Sequence, residues 1–132
     1  MKLEDLNCKI EVSASVNPSE DPEKVKKAIS NILSISNIQT GDFYIMAETN
    51  DFQLMEKIYE SIHSSRSQKV LQKQLEKHMN NDSTWFFLNK QAAFVGKVVL
   101  CENEDESPLG PVKVVLSSSN INKIIDSLIL RN

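Results

Sequence analysis

Four cations stand out by type and spacing. Arg66, Lys69, Lys73 and Lys77 recur at intervals of three and four. On a helix at about 100° per residue they fall at about 0°, 300°, 340° and 20°, a single stripe. Leu71, Leu75, His78 and Met79 fall roughly opposite, so the same segment has an apolar face to bury. Within the span Arg66 to Lys77 only Glu76 opposes the four cations, while the whole chain carries a formal charge of −3. Positive charge gathered on one face of an otherwise acidic molecule is the footprint of phosphate binding. It is also what the solvated face of any amphipathic helix can look like.

A second group is Lys90, Gln91 and Lys97, which flank a tight segment containing Gly96. A glycine in an extended run marks a bulge or the close approach of another backbone. An amide and two ammonium groups beside it can hold a phosphate or carboxylate, or can simply satisfy neighbouring carbonyls and shape the turn. Glu102, Glu104, Asp105 and Glu106 lack the central glycine and terminal glutamate of a calcium loop and read as a solvated run that repels polyanions. His63 and His78 belong to no HExxH pair and are expected to pack helices, and no GxSxG elbow or cysteine motif marks a nucleophile. No catalytic residue, metal site or cofactor is therefore expected, and the chain does not read as an enzyme. Of Trp85, Phe86, Phe87 and Phe94, only Trp85 and Phe87 can share the sheet face away from the core, where aromatic rings stack bases or meet another protein.

These residues need elements to position them. Cys8, Ile10, Val12, Ala14 and Val16 alternate with polar residues and predict a strand with one wet face. Asp21 and Pro22 open a helix carrying Val25, Ala28, Ile29, Ile32 and Leu33, running to about Ser34. Phe43 to Ala47 is a short strand, and Asn50 with Gln53 caps a second helix through Leu54, Met55, Ile58, Tyr59 and Ile62. Ser65 with Gln68 repeats the cap and opens the third helix, closed by Asn80-Asn81-Asp82. Thr84 to Leu88 and Phe94 to Cys101 read as paired strands, Val112 to Leu116 as the last strand, and Asn120 as the cap of a final helix through Ile121, Ile124, Ile125, Leu128 and Ile129. The order is β-α-β-α-α-β-β-β-α over residues 1–132, one α+β domain. Three consecutive strands near the end favour a largely antiparallel sheet with helices packed on one face.

Composition bounds the rest. At 132 residues, with 40% hydrophobic and 25% charged residues, the chain is the size and make-up of one ordinary globular core. Met1 to Asn7 carries Glu4 and Asp5 and no apolar run, so no secretory leader is expected, and no stretch is long enough to span a membrane. Cys8 and Cys101, distant and outside any CxxC pair, suit two buried thiols in a reducing cytoplasm. A pI near 5.4 argues against coating nucleic acid by charge alone, and no DNA partner is expected.

Three blocks carry a family likeness: Asn17-Pro18-Ser19-Glu20-Asp21, Leu88-Asn89-Lys90-Gln91-Ala92-Ala93-Phe94-Val95-Gly96-Lys97-Val98, and Glu106-Ser107-Pro108-Leu109-Gly110-Pro111. Together they resemble the signature of an archaeal group, uncharacterised protein family 201. That family is similar in fold to the ribosomal protein that binds 5S ribosomal RNA, so the resemblance implies an RNA-binding-like α+β architecture and brings no catalytic residues. Arg66 to Lys77 departs from it in carrying lysines and glutamines where the family tends to arginine. The leading expectation is a cytoplasmic, non-enzymatic domain that binds structured RNA through Arg66, Lys69, Lys73, Lys77, Lys90, Gln91 and Lys97. The alternative is a protein-interaction module, a homodimer with no nucleic-acid binding.

Overall fold

The structure, a computed structural model, describes Leu3 and residues 6–130. The first strand, β1 (Asn7–Ser15), buries Cys8, Ile10, Val12 and Ala14 and leaves the alternate residues partly or fully exposed, as its pattern demands. Asp21 caps α1 (Pro22–Ile32) by accepting the Glu23 N–H at 3.0 Å, with proline at the first position where its missing N–H costs nothing. The helix ends two residues short of Ser34, where Leu33 is already extended.

Next comes a hairpin that the apolar pattern did not announce. β2 (Ile38–Thr40) pairs antiparallel with β3 (Tyr44–Asp51), and the ring of Tyr44 lies over Gly41 so closely that a Cβ there would collide with it. Because β3 runs on to Asp51, the next cap falls on Asp51 rather than Asn50: its side chain accepts the Gln53 N–H at 3.1 Å and opens a 3-10 turn that leads into α2 (Glu56–Ser64). Three residues in a tight turn, Ser65 to Ser67, then separate α2 from α3 (Gln68–Lys77). The serine cap expected at Ser65 does not form. Its hydroxyl bonds back to the Ser61 carbonyl at 2.8 Å, ending α2 instead of starting α3.

After β4 (Ser83–Leu88), Asn89 caps a short helix, α4 (Lys90–Phe94), by accepting the Ala92 N–H at 2.9 Å. The long strand expected from Phe94 to Cys101 is thereby reduced to β5 (Leu100–Cys101), since an asparagine cap followed by Lys-Gln-Ala-Ala favours a helical turn over the β propensity downstream. β6 (Val112–Ser117) and α5 (Ile121–Ile129) complete the chain.

The six strands form one sheet in the order β2-β3-β1-β6-β4-β5, and every neighbouring pair is antiparallel. This is the α+β class expected, an antiparallel sheet with its helices on one face. Ile10, Val12, Ile45, Phe86, Val114 and Leu116 point to that side and meet Ile29 and Ile32 of α1, Ile58 and Ile62 of α2, Leu71 and Leu75 of α3, and Ile124 and Leu128 of α5. Each such side chain, removed wholly from water, contributes about 1.5–3 kcal/mol. The opposite face presents Lys9, Glu11, Ser13, Met46, Lys113 and Val115, half-buried or exposed. No helix of the described residues is long and apolar enough to cross a membrane.

Candidate nucleic-acid interface

Helix α3 is held by its apolar side. Leu71 and Leu75 are buried in the core, and the Thr84 hydroxyl of β4 donates to the Leu75 carbonyl at 2.5 Å, so the helix cannot roll on the sheet. Lys69, Lys73 and Lys77, four residues apart, consequently all face solvent. Arg66 is exposed as well, but it lies in the turn before the helix with φ at +56°, so it leaves the helical register in which the sequence pattern aligned it with the lysines. None of the four forms an ion pair with another described residue. Their charges are available to a ligand.

Beside this stripe runs a groove lined by Val70, Lys73, Gln74, Lys77 and His78 of α3 and its C-cap, together with Glu102 just beyond β5. Gln74 is 4% exposed, and neither its amide nitrogen nor its amide oxygen has a hydrogen-bond partner. His78 does not pack between helices as expected. Its ring stacks on Trp85 at 3.4 Å with 10° between the planes, and its Nδ1–H donates to the Trp85 carbonyl at 3.0 Å, which assigns the tautomer because a carbonyl can only accept. Lys113 lies 4.6 Å above the same indole, and Phe87 leans against it at 4.8 Å. Trp85 and Phe87 thus do share the face away from the core, but the indole is already covered and offers no bare stacking platform. His63 is the helix-packing histidine: buried, it donates through Nε2 to the Leu128 carbonyl at 2.9 Å and receives Gln68 at Nδ1.

The second expected cluster comes apart. Lys90 is completely buried, and its ammonium donates to the Ser15 carbonyl at 2.9 Å, to Glu20 Oε1 at 2.9 Å and to the Leu109 carbonyl at 2.6 Å. Three protons meet three acceptors, so Lys90, expected from its position to contact a phosphate, has nothing left to offer one. Gln91 is half-buried, its Oε1 3.3 Å from the Ser107 hydroxyl, which accepts the Lys90 backbone N–H and donates to the Gly110 carbonyl. Lys97 alone of the three is exposed. Glu20 also accepts both the backbone N–H and the side-chain amide of Asn17, at 3.0 and 2.9 Å. Burial by itself raises its carboxyl pKa, but the Asn17 and Lys90 donors outweigh that and hold it below the usual glutamate value. Cys8 and Cys101 are free and buried, and burial pushes the Cys8 thiol up to about 11, which keeps it inert.

The three segments bearing the family likeness therefore meet at one place: Asn17 and Glu20 from the first, Lys90 from the second, Ser107, Leu109 and Gly110 from the third. The residue that pattern reading missed is Gln74. Its signal was present, since it interrupts the apolar side of α3 between Leu71 and Leu75.

A family model described as RNA binding matches residues 9–118. The chain is 35% identical over 120 residues to the UPF0201 protein of Methanothermobacter thermautotrophicus, covering 91% of this chain and 89% of that protein. It is 32% identical over 123 residues to the UPF0201 protein of Metallosphaera sedula, covering 91% and 86%. The crystal structure of the UPF0201 protein from Methanococcus jannaschii matches with a TM-score of 0.78 at 32% identity over 94% of each chain. A DUF54 protein from Methanothermobacter thermautotrophicus, at 15% identity and a TM-score of 0.68 over 92% of this chain and 97% of that one, has the same fold. By the matching family model, the shared sequence and the shared sheet, this chain belongs to the UPF0201 family.

Proposed function

We propose that this chain is a cytoplasmic, non-enzymatic RNA-binding domain that grips the ribose-phosphate backbone along α3. The observation that carries the proposal is the set of exposed cations Lys69, Lys73 and Lys77, unpaired among the described residues, with Arg66 at the head of the helix, on a chain whose total charge is −3. The family model described as RNA binding supports it. Acidic residues on other faces would keep a polyanion from settling there and so orient the strand. Lys97 is a candidate outer contact.

An ionic-strength titration against structured and single-stranded RNA tests this. Four phosphate contacts predict that log K falls with log salt at a slope of about −3, and replacing the four cations with glutamate should abolish binding. Binding no tighter than millimolar at about 50 mM salt, or binding indifferent to the four replacements, would end the proposal.

A homodimer is the second reading. Phe43 and Tyr44, 71% and 51% exposed beside the edge strand β2, are large apolar groups in want of a cover. A monomer by light scattering at micromolar concentration would discard it.

A further inference from the structure

Val70, Lys73, Gln74, Lys77 and His78 stand at i, i+3, i+4, i+7 and i+8, so they form one ridge of α3, and the groove runs along it. A phosphate-binding helix has no need of a glutamine there. Gln74 is nonetheless 4% exposed with both amide atoms unpartnered, in a helix whose other buried side chains are the leucines Leu71 and Leu75. A buried amide that forms no hydrogen bond is destabilising, by the desolvation it suffers without return. The protein would be better served at this position by methionine or leucine unless the amide meets something that enters the groove.

The surroundings say what that would be. Lys73 and Lys77 flank Gln74 with exposed ammonium groups, which suits a backbone phosphate on either side. Val70, 41% exposed, gives an apolar wall for the face of a planar ring. The cavity is about 60 Å³, far below the roughly 300 Å³ of a pocket that takes a whole small molecule, so it admits an edge and not an entire nucleoside. A glutamine amide presents an acceptor and a donor side by side, the complement of a base edge carrying an amino group next to a ring nitrogen. By itself the amide could flip to fit a keto edge as well. Glu102 breaks that tie against uracil, whose edge carries carbonyl oxygens and no amino group, because a carboxylate can accept from an amino group and repels a carbonyl oxygen. We infer that the Gln74–Glu102 groove is a base-reading site, which takes the edge of an unpaired adenine or cytosine in RNA while Lys73 and Lys77 hold the adjoining phosphates.

This rests on the RNA-binding reading, and the test separates the two. Fluorescence anisotropy would compare single-stranded oligo(A), oligo(C) and oligo(U) RNA of one length on the full chain, its Gln74→Met and Glu102→Gln variants, and adenosine monophosphate as a competitor. The expected result is a preference of about tenfold for oligo(A) or oligo(C) over oligo(U). It should vanish in Gln74→Met while oligo(U) affinity stays put, and shrink in Glu102→Gln. Gln74→Met should melt no lower than the parent, since it removes an unpartnered amide; a clear fall would make the amide structural and overturn the inference. Equal affinity for all three oligomers, or a preference that survives Gln74→Met, overturns it too and leaves the backbone grip standing. Adenosine monophosphate displacing the oligomer at comparable concentration would make the groove a nucleotide pocket, again against the inference. No binding of any oligomer sinks the RNA reading and this one with it.

Discussion

Two stretches of this chain place lysines beside glutamines, and the fold uses them in opposite ways. On α3, Lys69, Lys73 and Lys77 are exposed and form no ion pair among the described residues, with the side chain of Gln74 buried between two of them and unpartnered there as well. At the start of α4, Lys90 is sealed from water with every proton taken, and Gln91 lies beside the Ser107 hydroxyl that anchors the turn. The segments that carry the family likeness converge on the second place, not the first. A recognisable family signature here marks a joint that holds β1, α4 and the loop before β6 together, whereas the surface proposed to meet RNA is ordinary in sequence.

The sharpest way to break the comparison is to remove one lysine from each place. Lys90→Met leaves Glu20 buried without its counter-charge and should cost about 3–5 kcal/mol in chemical denaturation. Lys73→Met, on the open surface, should stay within about 0.5 kcal/mol of the parent. Equal losses at the two positions would erase the distinction.

The next effect is in the pH dependence. Glu20 has a folded pKa below its unfolded value, so its stabilisation is complete above the usual glutamate range near about 4.3 and is lost as pH falls through the depressed folded value. Replacing Glu20 with glutamine should flatten the acid limb of the stability curve, and an unchanged limb would show that other carboxylates govern it. The smallest effect sharpens the other side of the comparison. Each single replacement of Lys69, Lys73 or Lys77 by methionine should lower the salt slope of RNA binding by about 0.7–0.9, with folding unaffected, while Lys97→Met, away from the stripe, should change it less.

Much of the scaffold could be read directly. The alternation from Cys8 to Ala14, the cap at Asp21 and the apolar spacing of α5 are local patterns with a local cause, and each produced the element expected of it. Reading failed where two local preferences competed. Around Phe94 a helix cap overrode β propensity, and at Ser65 a hydroxyl closed one helix instead of opening another. The β2 hairpin was too short to show any periodicity.

By itself, then, the sequence determined which faces are apolar, and so the class of fold and the side of α3 that meets water, because burial of apolar surface follows periods of two and 3.6 residues. Only the tertiary structure decided which lysine is buried and occupied and which are exposed. The Lys90 ammonium is occupied by Ser15, Glu20 and Leu109, which lie 75, 70 and 19 residues away along the chain. A charge is neutralised by its neighbours in space, and no periodicity along the chain encodes those.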